Sequence, residues 1–145
     1  MVEFFDQYEH TIDGKGRLVL PSAYRSEFAN GGYLTFMGAS VGLFTPEGWE
    51  KHRFKLQSSD VFSRKDVSQV LALTSQFVPD AQHRVSLSPK LRARVGLERD
   101  VTVVGQGSHA AIYPREVWAA REEESMQPDD SGIALADKFD HLGYL

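Results

Sequence analysis

In Arg17-Leu-Val-Leu20 the side chains alternate: Leu18 and Leu20 face one side of a strand, Arg17 and Val19 the other. Arg84-Val-Ser-Leu87 repeats the pattern, with Val85 and Leu87 on the apolar side and Arg84 and Ser86 opposite. The first strand, residues 17–20, is followed by Pro21, which suits the first turn of a helix with Tyr24 and Phe28 on one face. Asn30-Gly31 stops that helix. Strands are predicted over 33–38 and 41–45, and Pro46 opens a second helix through Trp49 and Leu56. Later in the chain Ser88 reads as an N-cap, Pro89 as the first helical residue and Gly96 as the stop. Strands over 101–105 and 111–113 and a helix over 114–125 complete that half.

The same order of elements occurs twice. A shift of 67 residues carries Asp13 onto Asp80, Arg17 onto Arg84, Tyr24 onto Leu91 and Arg25 onto Arg92. Continued at that shift, Leu34 meets Val101 and Gly38 meets Gly105. A further two residues then bring Leu43-Phe-Thr-Pro-Glu-Gly-Trp49 onto Ile112-Tyr-Pro-Arg-Glu-Val-Trp118. Agreement through a turn, a helix and two strands marks an internal duplication. The repeats are expected over 5–56 and 77–125, with a connector over 57–76 and a tail over 126–145. In the connector, Ser63 and Asp66 form a start signal, and Val67, Val70, Leu71 and Thr74 share a helical stripe. The tail is expected to be mobile, apart from a short helix over 133–139. With few strands per repeat, the halves are expected to pair strands and bury one common core. Trp49 and Trp118, at matching positions, are expected in core or subunit contacts.

Composition narrows the function. The chain has 145 residues, no cysteine and a net charge of −4, which excludes disulfides, thiol catalysis and cysteine-type zinc sites. There is no basic segment followed by a long apolar core and no run of 18 apolar residues, so neither a signal peptide nor a membrane span is expected. The expected location is the cytoplasm. Seven of the acids lie within residues 121–145, which carry −5 and leave +1 for the rest of the chain. A nearly neutral body can still carry a basic face.

That face is expected at the two Asp-x-x-x-Arg turns, Asp13-Gly-Lys-Gly-Arg17 and Asp80-Ala-Gln-His-Arg84. Asp13 and Asp80 can cap their turns and approach the arginines. Glycine allows positive φ in the first turn, and His83 is among the few other residues that tolerate it in the second. Lys15, Arg17 and Arg25 lie together, and Arg84 and Arg92 repeat them, a plausible edge for phosphate contacts. Arginine's planar fork also suits bidentate recognition of guanine. The alternative is that each pair merely fastens a hairpin.

These doubled turns, with Asp13-Gly-Lys-Gly-Arg-Leu-Val-Leu-Pro21 and the later aromatic-x-x-Glu-x-Trp elements, resemble the MraZ family over about residues 4–125. That family comprises bacterial regulators of the division and cell-wall gene cluster. The resemblance implies an α+β fold of tandem AbrB-like swapped-hairpin units around a small β-barrel core with flanking helices. It also implies closed homo-oligomeric rings that bind G-rich direct repeats in promoter DNA, usually as repressors, with the protein located at the nucleoid. It places DNA contact on Arg17, Lys15 and Arg84, and makes Asp13 and Asp80 organisers of the turns. Where the family has glycine before the second arginine, this chain has His83; if His83 alters its turn, Arg84 contributes less than Arg17. Several turns on a ring meeting several repeats would gain by effective concentration.

Two other classes compete. For an enzyme, the histidines (His10, His52, His83, His109, His141) show no metal spacing, and no nucleophile elbow or Walker loop occurs. Gly105-Gln-Gly-Ser108 reads as a hairpin turn. No catalytic residue, metal, cofactor or small-molecule substrate is expected. The other rival is an AbrB-like oligomeric scaffold, or an antitoxin-type module that contacts protein.

Overall fold

Eight strands carry the first part of the chain in the computed structural model, which describes residues 2–144. They are β1 (Gln7–Thr11), β2 (Arg17–Val19), β3 (Gly32–Phe36), β4 (Val41–Phe44), β5 (Ser75–Phe77), β6 (Arg84–Ser86), β7 (Asp100–Gly105) and β8 (Ala110–Pro114). Six of them form an antiparallel sheet in the order β1-β7-β8-β4-β3-β5, while β2 and β6 pair in a separate antiparallel ribbon. Replacing every strand by its counterpart in the other repeat reverses the sheet order and returns the same sheet. The first strand of each repeat pairs with the third strand of the other: β1 with β7, and β5 with β3. Neither repeat completes a sheet by itself, so the halves fold together.

The duplication is more regular in space than in sequence. The hairpin β3–β4 closes with the Met37 amide donating to Ser40 at 3.0 Å, and β7–β8 closes with Gln106 donating to His109 at 2.8 Å. Gly38 and Gly107 take matching positive φ of 85° and 77° in these turns. Leu34, opposite Leu43, therefore corresponds to Val103, opposite Ile112, and not to Val101, the partner that the 67-residue shift gives. The two extra residues of the second repeat lie between Arg92 and β7. Strand pairing decides this, because it fixes partners that similarity of apolar residues leaves interchangeable.

The helices differ between the repeats for a local reason. The second has α3 (Pro89–Val95), where the Ser88 side chain accepts from the Leu91 amide at 3.2 Å and Gly96 ends the helix at φ 78°. In the first repeat the helix expected after Pro21 is instead a 3-10 turn, Ser22–Tyr24, followed by turns as far as Asn30. Proline stands where Ser88 stands and offers no side-chain acceptor, so the i→i−4 ladder is not started. Tyr24 and Phe28 reach the core regardless, at 3% and 0% exposure.

The apolar faces of ribbon and sheet share one core, in which Leu18, Leu20, Val85 and Leu87 meet Leu34, Leu43, Val101, Val103 and Ile112. Phe4 stacks on Phe28 and meets Tyr24 edge-on, closing one end. Two helices follow β4, the first almost wholly within the first repeat and the second in the connector. α1 (Pro46–Ser58) starts from Thr45, whose hydroxyl accepts from Gly48, and buries Trp49 in a stack on Tyr33 with ring centres 5.2 Å apart. α2 (Arg64–Ala72) starts with the expected Ser63–Asp66 capping box. Of its stripe, Val70 is buried, Val67 half-buried and Leu71 exposed.

The chain divides into two compact units, one up to Pro114 and one from Arg115 onward. The second unit holds α4 (Arg115–Ser125), with Trp118 half-buried, and the short helix α5 (Leu135–Lys138), which runs into a 3-10 turn over Phe139–Leu142. Asp129 organises the loop before α5: the Lys138 ammonium, followed by the hydroxyl and amide of Ser131, donates to its carboxylate and holds it well below the usual range.

Candidate nucleic-acid interface

The two Asp-x-x-x-Arg turns are built by the same bonds. In each, the aspartate amide donates to the arginine carbonyl (2.9 Å at Asp13, 3.1 Å at Asp80). One carboxylate oxygen of Asp13 accepts from the Lys15 and Arg17 amides, each at 2.9 Å, and its other oxygen accepts from the Arg17 Nε at 2.7 Å. Asp80 does the same with the Gln82 and Arg84 amides at 2.9 Å and the Arg84 Nε at 2.7 Å. Gly16 takes φ 78° and His83 φ 61°, so histidine keeps the left-handed position that glycine holds in the first turn. The Arg17 amide, followed by the Arg17 guanidinium and the Lys15 amide, holds the Asp13 carboxyl down to about 2. Asp80 is lowered in the same way, first by the Arg84 amide.

Each aspartate takes the Nε edge of its arginine. The bonds of each aspartate side chain to the guanidinium thus leave aside the two terminal nitrogens, which form the planar fork for a bidentate contact. The ribbon then sets both forks on one face. Its register places Arg17 opposite Ser86 and Val19 opposite Arg84, with Leu18 opposite Val85 on the core side. The arginines are thus diagonal neighbours, whose Cα atoms in such a pair lie roughly 7–8 Å apart. A two-stranded ribbon is of a width that the DNA major groove admits. Arg17 and Arg84 are half-buried, with side-chain exposures of 29% and 26%.

The remaining expected cations are placed differently. Lys15 is exposed at the tip of the first turn. Arg25 and Arg92 are half-buried, and each donates its Nε to a backbone carbonyl, Leu20 and Leu87 respectively, at 3.1 Å. They occupy equivalent places in the two repeats and brace the ends of β2 and β6. Arg92 also lies over the first turn: a Cβ built on Gly16 would come within 2.8 Å of its guanidinium. Lys15, Arg84 and Arg92 line one groove.

Sequence reasoning missed the bonds that join the turns, in which the Leu20 amide donates to His83 and the Leu87 amide to Gly16, both at 2.9 Å. It also missed a stack in which the Phe44 ring lies against His52 on one side and His109 on the other, each 4.6 Å away. Burial lowers the pKa of both histidines. No signal in the linear chain pairs residues so far apart. Among the described residues no group of histidine and carboxylate side chains is placed to hold a metal ion, and no helix is long and apolar enough to cross a membrane.

The family model described as "MraZ protein, putative antitoxin-like" matches the chain twice, over residues 4–72 and 70–136. A transcriptional regulator MraZ of Leifsonia xyli subsp. xyli is 37% identical over 119 residues, covering 79% of this chain and 83% of that protein. The transcriptional regulator MraZ of Thermomicrobium roseum is 36% identical over 124 residues, 83% of this chain and 87% of that protein. A third, from Micrococcus luteus, is 34% identical over 137 residues, 90% and 96% of the two chains. With two tandem matches spanning the duplicated turns, and relatives named transcriptional regulators aligned over most of their length, the chain belongs to the MraZ family.

Proposed function

We propose that this protein is a sequence-specific DNA-binding regulator of transcription that grips double-stranded promoter DNA through the ribbon of β2 and β6. The observation that carries the reading is the pair of aspartate-anchored arginines, Arg17 and Arg84, on the outward face of one ribbon. Anchoring at Nε holds each fork ready before DNA arrives, so little side-chain entropy is lost on binding. Lys15 supplies a phosphate contact, and Arg25 and Arg92 support the edge of the interface. Asp13 and Asp80 organise the turns.

The sites addressed are G-rich direct repeats, including those in the protein's own promoter within a division and cell-wall gene cluster, and binding represses transcription. The exchange of first strands between the repeats supports reading each repeat as an AbrB-like swapped hairpin in a small barrel, with repeats over 5–56 and 77–125, a connector over 57–76 and an acidic tail over 126–145. Copies of the chain close into a homo-oligomeric ring, which makes several weak contacts strong through effective concentration. The protein works in the cytoplasm at the nucleoid, without cofactor or catalysis.

Titration of the protein with its own upstream duplex and with a scrambled duplex, over a range of salt, tests this. Tighter binding to the upstream duplex, with affinity falling steeply as salt rises, is expected. Equal binding to both, or none to either, would favour a scaffold or antitoxin-type module that contacts protein.

A further inference from the structure

Beside the ribbon opens a groove of about 520 Å³, lined by Lys15 from the first repeat and by Arg84, Ser86, Ser88 and Arg92 from the second. Its one acid is Asp80, whose carboxylate is already bonded to Arg84 at 2.7 Å. The Arg92 Nε donates to the Leu87 carbonyl, which carries no formal charge to offset the guanidinium. That guanidinium is held against Gly16 of the first turn, within 2.8 Å of where a Cβ would stand. Three cations and the hydroxyls of Ser75, Ser86 and Ser88 thus line one concave surface. Such a set suits an extended chain of phosphodiesters.

The groove breaks the two-fold symmetry of the ribbon. The repeat relation maps Arg84 onto Arg17 and Arg92 onto Arg25, so the arginines are conserved between the two sides. It maps Lys15 onto Gln82, Gln76 onto Glu9, Ser86 onto Val19 and Ser88 onto Pro21. The opposite side therefore loses a cation and gains an acid, while its hydroxyls are equal in number, since Ser75, Val78 and Pro89 map onto Tyr8, Thr11 and Ser22. For a polyanion the two sides differ in charge.

We infer that this groove holds the phosphodiester backbone of one DNA strand and so orients the ribbon one way round on its site. The inference rests on the DNA-binding reading above. A ribbon of two equivalent arginines meets a site equally well in either direction. A clamp on one side makes one direction lower in free energy. Copies held in the same sense then require sites written in the same sense, which connects the groove to direct repeats.

The test uses the full chain and the tightest duplex recovered from a randomised pool. Single phosphates on either flank of the recognised bases are replaced by neutral methylphosphonates. Affinity is expected to drop several-fold for replacements on one flank and to stay level for the mirror-related ones. Lys15→Gln, at an exposed position, should weaken binding to selected and random duplexes by the same factor. It should also lower the slope of log K against log salt by about one and abolish the sensitivity to the critical flank. Equal losses on both flanks, or an unchanged slope in both Lys15→Gln and Arg92→Gln, overturn the oriented clamp while leaving DNA binding in place. Absence of any salt-dependent duplex binding by the unsubstituted chain overturns the DNA reading itself.

Discussion

The amide of Leu87 donates to the carbonyl of Gly16 at 2.9 Å, and so ties the end of the second repeat's ribbon strand to the turn of the first. Leu20 holds His83 in the same way, also at 2.9 Å. Each turn is thus shaped locally by its aspartate and fixed in place by the other repeat. This cross-bracing makes the ribbon a single rigid element, and it leads to different costs at equivalent positions.

Gly16 and His83 share a left-handed backbone, yet only Gly16 has a guanidinium where a Cβ would go. Gly16→Ala therefore meets both backbone strain, about 1–2 kcal/mol, and displacement of Arg92. His83→Gly relieves strain but loosens the unfolded chain, so its net effect on stability should be within about 1 kcal/mol. Urea denaturation of both variants checks this; a Gly16→Ala loss no larger than the backbone strain alone, about 1–2 kcal/mol, would mean that Arg92 yields without cost.

Arg17→Ala and Arg84→Ala should each weaken specific DNA binding, by about 1–3 kcal/mol if each fork contacts one guanine. The two losses should be similar, since His83 preserves the geometry of the second turn. The hydrodynamic size of both variants should stay that of the unsubstituted protein, because neither side chain belongs to the core. Gel-shift titrations alongside light scattering measure both; loss of assembly in Arg17→Ala would mark the pair as a hairpin fastener.

Asp13 titrates at about 2 in the folded chain against an ordinary 3.8. A lowered carboxyl pKa stabilises the fold above 3.8, and that stability is lost as pH falls from 3.8 through 2. Thermal unfolding followed over this range should therefore show a smaller acid-induced drop in Asp13→Asn than in the unsubstituted protein. Identical profiles would show that the carboxylate contributes nothing through its charge.

Burial holds His52 and His109 below their ordinary pKa of 6.5. Their unfolded forms bind protons first as pH falls, so stability should decline below about pH 6.5. Replacing both by phenylalanine keeps a stack on Phe44 and should flatten the decline. A melting temperature that falls equally in both proteins between pH 7 and 5 would assign it to other groups.

Legibility along the chain follows the range of the interactions. The inward leucines, the outward arginines, the aspartate-capped turns, the Ser63 and Ser88 caps and the buried Trp49 were all readable, because each depends on residues within a few positions. The failures were also local in origin. A helix was expected after Pro21 because Tyr24 and Phe28 share a face, but burial of both is equally served by a 3-10 turn, and no side chain there caps an α-helix. The alignment of Leu34 with Val101 failed because valine and leucine are interchangeable in an apolar strand.

By itself, the sequence determined that one unit was written twice, where its turns fall and which side of each strand meets water, since periodicity and turn chemistry are short-range properties. Only the tertiary structure decided that β1 crosses to β7 and β5 to β3, that the two turns lie side by side on one ribbon, and that Lys15 joins Arg84 and Arg92 in a groove. Those placements come from burying one core between two incomplete halves. They bring together residues about 70 positions apart, beyond the reach of any local preference.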